Sequence, residues 1–183
     1  MKIYKITSYF KLNKNPAWLD TFIQNYSANV NGYHSTFKFQ SSINASEINT
    51  VANIVERTVS KYAPTEVIFD NYVFDITSSG NIIMIASKKN NPLYTFQQEL
   101  ITSLESYGIP LRDEYPRFEQ NVLLHITIAR RRSDSDFDIA KSLLREPVLC
   151  TAFLDTVTLT VVDNWVEEEF KDPSNLTVFR FKN

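Results

Sequence analysis

The sequence predicts an α+β fold of two similar lobes, each an antiparallel β-sheet with outer helices, with a cleft between the lobes. Three observations predict it. Strand-like apolar runs are interspersed with helical segments, yet several of the strands adjoin through short turns, which favours antiparallel pairing over a doubly wound parallel sheet. Only two histidines occur in the chain, and each opens the same local pattern, His34-Ser35-Thr36-Phe37 and His125-Ile126-Thr127-Ile128. After each histidine the order of elements then repeats: a strand, a polar stretch, a helix and a further strand, Val67 to Asp70 in one copy and Val157 to Asp163 in the other. Self-similarity of this kind points to two facing lobes.

Taken in order, Ile3 to Phe10 reads as a strand. Asn15-Pro16 then sets a capping Asn before a Pro at the first helical position, where the missing N–H costs nothing. Trp18, Phe22 and Tyr26 follow with helical spacing. Tyr33 to Phe39 is strand-like. From Glu47 the set Ile48, Val51, Ala52, Val55, Val59 and Tyr62 keeps helical periodicity over about four turns. Val67 to Ile76 and Ile82 to Ala86 read as strands joined in a hairpin through Ser78-Ser79-Gly80-Asn81. A second Asn-Pro pair, Asn91-Pro92, opens a helix on Leu93, Phe96, Leu100, Leu104 and Tyr107 that stops at Gly108, with Pro110 beyond it. Val122 to Ala129 is strand-like, a short helix starts near Phe137 and ends before Pro147, and Val157 to Val162 and Leu176 to Phe181 close the chain as strands.

A chain of 183 residues with 43% apolar and 22% charged residues fits a single domain over residues 1–183. Three glycines leave almost no material for a phosphate-cradling glycine loop, so any nucleotide chemistry falls to side chains. A net charge of −2 and a pI of about 5.7 argue against a large basic saddle for long duplex nucleic acid. A small anion in a local positive pocket remains compatible with them. The single cysteine, Cys150, precludes an internal disulfide framework and fits a reducing compartment. Lys2, Lys5 and Thr7 interrupt the apolar residues of the first ten positions, so no secretory signal is read there, and no run approaches the length of a membrane span. The expectation is a cytoplasmic protein, a monomer, with no membrane partner.

A Thr two places after both histidines is expected by composition less than about once in a hundred such chains. In a strand, residues i and i+2 share a face. His34 and Thr36 therefore project together, as do His125 and Thr127, and two such strands would bring two imidazoles and two hydroxyls around one point. That set suits cleavage of a phosphodiester without metal or other cofactor. One imidazole acts as base and the other as protonated acid near neutral pH, while the hydroxyls hold the oxygens on which charge builds. Lys38, two places beyond Thr36, is expected on the same face. Arg130 opens the cluster Arg130-Arg131-Arg132, and strict alternation turns it toward the packed face unless the strand ends or twists there. Tyr115, Phe118 and Trp165, in expected loops near strand ends, are candidates for stacking on a base. A zinc site needs three or four ligands, and Cys150 is the only obvious soft addition to the two histidines.

These residues resemble the two-histidine (2H) phosphoesterase superfamily, whose mark is a pair of HxTx motifs. The second copy, His125-Ile-Thr-Ile-Ala-Arg130, is similar to the HxTLxR form of the 2′-5′ RNA ligase branch, whereas the first, HSTFKF, lacks the small residues usual there. The resemblance implies a two-lobed α+β fold with the active cleft between the lobes. It also implies hydrolysis of 2′,3′-cyclic phosphates, on RNA ends or small cyclic nucleotides, with His125 activating water and His34 protonating the leaving ribose oxygen. Thr36 and Thr127 would hold the phosphate. Two alternatives stand beside it: cleavage of another cyclic or 2′-5′-linked nucleotide (an ADP-ribose cyclic phosphate, an oligoadenylate), and a non-catalytic module that binds RNA ends.

Overall fold

In the computed structural model, residues 1–26, 32–77, 80–88, 92–111, 119, 122–131 and 133–182 are described. The elements in chain order are β1 (Lys2–Phe10), β2 (Leu12–Lys14), α1 (Leu19–Tyr26), β3 (Tyr33–Ile43), α2 (Ile48–Val59), β4 (Thr65–Thr77), β5 (Gly80–Ser87), α3 (Pro92–Ser106), β6 (His125–Arg131), α4 (Asp134–Leu143), β7 (Cys150–Leu154), β8 (Thr156–Val162), α5 (Glu167–Lys171) and β9 (Leu176–Arg180). The strands form two sheets, one ordered β3-β1-β8-β9 (sheet A) and one ordered β2-β7-β4-β5-β6 (sheet B), and their pairings are antiparallel. The α+β class and the two antiparallel sheets are therefore as the sequence predicts. Among the described residues no helix is long and apolar enough to cross a membrane.

Each sheet buries one face under helices. On sheet A, α2 and α3 cover Tyr4, Ile6, Phe37, Val157 and Leu159, and the rings of Phe37 and Phe96 meet edge-on at 5.1 Å. On sheet B, α1 and α4 pack against β5 and β6, with Phe137 edge-on to Phe74 at 6.4 Å. A helix of 12 residues such as α2 is held by its apolar stripe (Val51, Ile54, Val55, Val59) rather than by propensity, and an Asn44–Glu47 capping box starts the single 3-10 turn that leads into it. The two buried layers form one continuous apolar cluster.

The sheets are tied together twice. A single residue, Lys11, separates β1 of sheet A from β2 of sheet B, and Asp155 alone separates β7 of sheet B from β8 of sheet A. The chain thus changes sheet at both points, and β2 and β7 are additions to the strands expected from the sequence, which places one only at Val157 to Val162 in the later region. The second tie is at the far edges, where β3 lies against β6 and Ser35 Oγ donates to the His125 carbonyl oxygen at 2.8 Å.

Several boundaries move. The first helix begins at Leu19 rather than Pro16, although Pro16 O still accepts from Leu19 N at 3.0 Å. The helix expected near Phe137 begins at Asp134, because the hydroxyl of Ser133 caps the amide of Asp136. Val122 to Leu124 is not strand: Leu124 N donates to the Tyr94 hydroxyl, and β6 starts at His125. The repeat holds from each motif to the helix after it (β3–α2 and β6–α4) and then diverges, since α2 leads directly to β4 whereas β7 intervenes before β8. The hairpin pairs Thr77 with Gly80, and Ser78, Ser79 and Asn91 lie outside the described residues.

Candidate active site

The two motif strands are the edges at which the sheets meet, and both present their His-x-Thr toward the faces opposite those on which the described helices pack. On β3, His34 stands opposite Tyr9 of β1 and Thr36 opposite Thr7. On β6, His125 stands opposite Ala86 of β5 and Thr127 opposite Met84. Directly opposed residues in an antiparallel pair share a face. His34 and Thr36 therefore line the sheet A wall of a cleft, and His125 and Thr127 line the sheet B wall.

Both imidazoles are oriented in the same way. Nδ1 of His34 lies 3.2 Å from the carbonyl oxygen of Gly32, and Nδ1 of His125 lies 2.6 Å from that of Leu123, in each case two residues back. A carbonyl only accepts, so each Nδ1 carries the hydrogen and each Nε2 is left with its lone pair for the cleft. Gly32 reaches this position with φ +71°, a conformation that a side chain would strain. Burial, with help from Lys5, lowers His34 from 6.5 to about 4, and burial and Arg130 also lower His125. Both rings are therefore neutral at pH 7.

Beyond each Thr the strand carries an extra residue. Thr36 and Lys38 face the consecutive residues Thr7 and Ile6, so Phe37 is bulged out of the pairing. Thr127 and Ala129 likewise face Met84 and Ile83, so Ile128 is bulged. A bulge reverses the alternation that follows it. Arg130 consequently pairs with Ile82 on the same face of β5 as Met84 and Ala86, and it joins His125 and Thr127 in the cleft. Lys38 goes the other way. It is fully buried on the helix side of sheet A, where Nζ is 3.1 Å from Glu119, donates to Phe39 O and Ser41 Oγ, and lies 4.7 Å from the centre of the Tyr4 ring. The expectation that Lys38 shares the face of His34 fails for this reason.

The cation of the sheet A wall is instead Lys5 of β1. Along β1, Lys5, Thr7 and Tyr9 point to the cleft while Tyr4, Ile6 and Ser8 point to the core. That polar stripe of period two is visible in the sequence, where Lys5 and Thr7 are taken only as interruptions of an apolar segment. Lys5 and Arg130 both act on both imidazoles, and Asp75 of β4 is the carboxylate that acts on His125 in the opposite sense. Thr7 Oγ1 is buried without a hydrogen-bond partner. Trp165, just after β8, stacks on Phe170 at 5.5 Å, and its ring lies 5.8 Å from the Lys5 ammonium. Tyr115 and Phe118 lie outside the described residues. Cys150 is buried opposite Phe69 on β4, and among the described residues no three His, Cys, Asp or Glu side chains cluster as a metal site.

The sequence profile of the 2′-5′ RNA ligase superfamily matches residues 33–164, a span that begins just before the first motif and ends past the second. The chain belongs to this superfamily. Among solved structures, Escherichia coli LigT complexed with 3′-AMP is similar in fold, with a TM-score of 0.54 at 13% identity over 99% of this chain and 94% of that one. Kluyveromyces marxianus Usb1 is similar with a TM-score of 0.60 at 9% identity over 98% of each chain, and its complex with uridine monophosphate gives 0.58 at 8%. No curated protein sequence matches significantly.

Proposed function

We propose that the protein is a metal-independent cyclic phosphodiesterase that opens 2′,3′-cyclic phosphates on RNA ends or small nucleotides. The observation that carries this reading is the matched pair of imidazoles, each with Nδ1 held by a backbone carbonyl and Nε2 free toward one cleft. Thr36, Thr127 and Arg130 share that cleft and suit the non-bridging oxygens of a phosphate. Relatives of the same fold support a nucleotide ligand, since LigT is solved with 3′-AMP and Usb1 with uridine monophosphate.

In the reaction, water adds to phosphorus on one side while one Nε2 takes its proton. The bond from phosphorus to one ribose oxygen breaks on the other side, and the second imidazolium gives that oxygen a proton. The product is a phosphomonoester, and the proton gained by one ring replaces the one lost by the other through solvent. Following the superfamily resemblance, His125 is the base and His34 the acid. Because burial and Lys5 keep His34 deprotonated on its own, it takes up a proton when the phosphate's negative charge sits beside it. The free thiol of Cys150 fits action in a reducing compartment.

Incubation of the purified protein in EDTA with 2′,3′-cyclic nucleotides and with cyclic-phosphate-ended RNA tests the reading. Phosphomonoester products are expected, and a folded protein that releases none from any of these substrates refutes it.

A further inference from the structure

We propose that Lys5 and Trp165 form a second subsite on the sheet A wall, so that the preferred substrate is a cyclic phosphate carrying a further phosphate group rather than a nucleoside cyclic monophosphate. This rests on the phosphodiesterase reading above and specifies its substrate class.

The placement comes from register. Thr7 is the cross-strand neighbour of Thr36, and Lys5 is two residues further along β1, opposite Thr160 of β8. Two residues of strand are roughly 7 Å, so Lys5 stands beside the site of the reacting phosphate rather than within it. Its ammonium reaches toward Trp165, whose ring is fixed by stacking on Phe170. With Phe170 stacked on the indole and the ammonium over the same ring, Trp165 fixes where the Lys5 charge stands.

Charge points the same way. Lys2, Lys38, Lys61, Lys88 and Lys171 each have a carboxylate within ion-pair distance. Lys5 has none among the described residues, although it is half-buried. A buried ammonium without a partner is costly, and burial together with Arg130 brings Lys5 down to about 8. The cleft therefore holds Arg130, Lys5 and, in the working enzyme, one imidazolium against the single carboxylate of Asp75, whereas a cyclic phosphodiester brings one negative charge. A second phosphate supplies the missing anion.

The test compares kcat/KM for three substrates: a nucleoside 2′,3′-cyclic monophosphate, the same nucleotide with a 5′-phosphate, and a dinucleotide ending in a 2′,3′-cyclic phosphate. The second phosphate is expected to raise kcat/KM about ten- to hundred-fold, the size of a hydrogen-bonded contact to a charged group. Whichever phosphorylated substrate gains more identifies the source as a free phosphate or an internucleotide link. In Lys5→Met the ratio should fall close to one, and in Lys5→Arg most of it should persist. A wild-type ratio near one, or a ratio unchanged in Lys5→Met because both substrates lose equally, overturns the proposal. Calorimetric affinities for a nucleoside 3′,5′-bisphosphate against a 3′-monophosphate give the same ratio without turnover. An enzyme that hydrolyses nothing thus refutes the parent reading while this one is still decided.

Discussion

Strands β3 and β6 carry the same motif, the same orienting carbonyl two residues back and the same bulge after Thr, yet the cation two residues after Thr36 and the cation three after Thr127 end on opposite faces. On β6 the bulge at Ile128 turns Ala129 into the core and Arg130 into the cleft. On β3 the bulge at Phe37 turns Lys38 into the core, where Glu119 neutralises it. Position after the bulge, not charge, decides whether a cation serves chemistry or packing. The sheet A wall, deprived of Lys38, takes its cation from the neighbouring strand as Lys5.

This comparison can be broken at several places. The largest single-hydroxyl effects are expected from Thr36→Val and Thr127→Val, each lowering kcat about 10²- to 10³-fold, as for loss of one donor to a developing oxyanion. Steady-state kinetics on a cyclic nucleotide reads this, and a loss confined to one of the two would show that the strands are not equivalent around the phosphate.

Arg130→Ala and Lys38→Met should then separate cleanly. Removing Arg130 is expected to lower kcat/KM about ten- to hundred-fold with little change in denaturant midpoint. Removing Lys38 leaves the Glu119 carboxylate buried without its cation and should cost about 3–5 kcal/mol of stability. The activity per folded molecule should barely change. Denaturant titration beside kinetics checks both, and the reverse pattern would move Lys38 back to the cleft.

Smaller effects concern pH. The kcat/KM profile reports the free enzyme, whose imidazoles titrate below 6.5, so its bell is expected to peak on the acid side of 6.5. The kcat profile, read with phosphate bound, should be displaced to higher pH. Stability follows the same shifts. As pH falls through 6.5 the unfolded chain binds protons first, while the native His34 resists until about 4. The native state should therefore lose stability across that window, and a His34→Gln, His125→Gln variant should lose less; equal slopes in thermal melts would show the rings are not depressed.

The sequence made the chemistry legible because His-x-Thr occurs twice, and a period of two fixes which residues share a face whatever the sheet order. It made the main strands and helices legible through apolar period, and Gly108 ended α3 as its φ of +68° requires. What it hid was set by tertiary pairing. A bulge changes the face of Lys38 and Arg130 without any signature in Phe37 or Ile128. Strands β2 and β7 exist because the chain changes sheet at Lys11 and Asp155, neither a turn-forming pair. Lys5 and Thr7 count in the sequence only as interruptions of an apolar segment, and it takes the pairing of β1 with β3 to place them on the face of His34 and Thr36.

The central claim is that His34 and His125 act as one acid–base pair on one phosphate. Turnover of a cyclic-phosphate substrate in EDTA by His34→Ala, His125→Ala and the double variant tests it most directly. Each single change is expected to lower kcat by about 10²–10⁴-fold, and the double variant should be little worse than the worse single one, as for residues that work as a unit. A double variant that still turns over at a rate near the wild type would contradict the account.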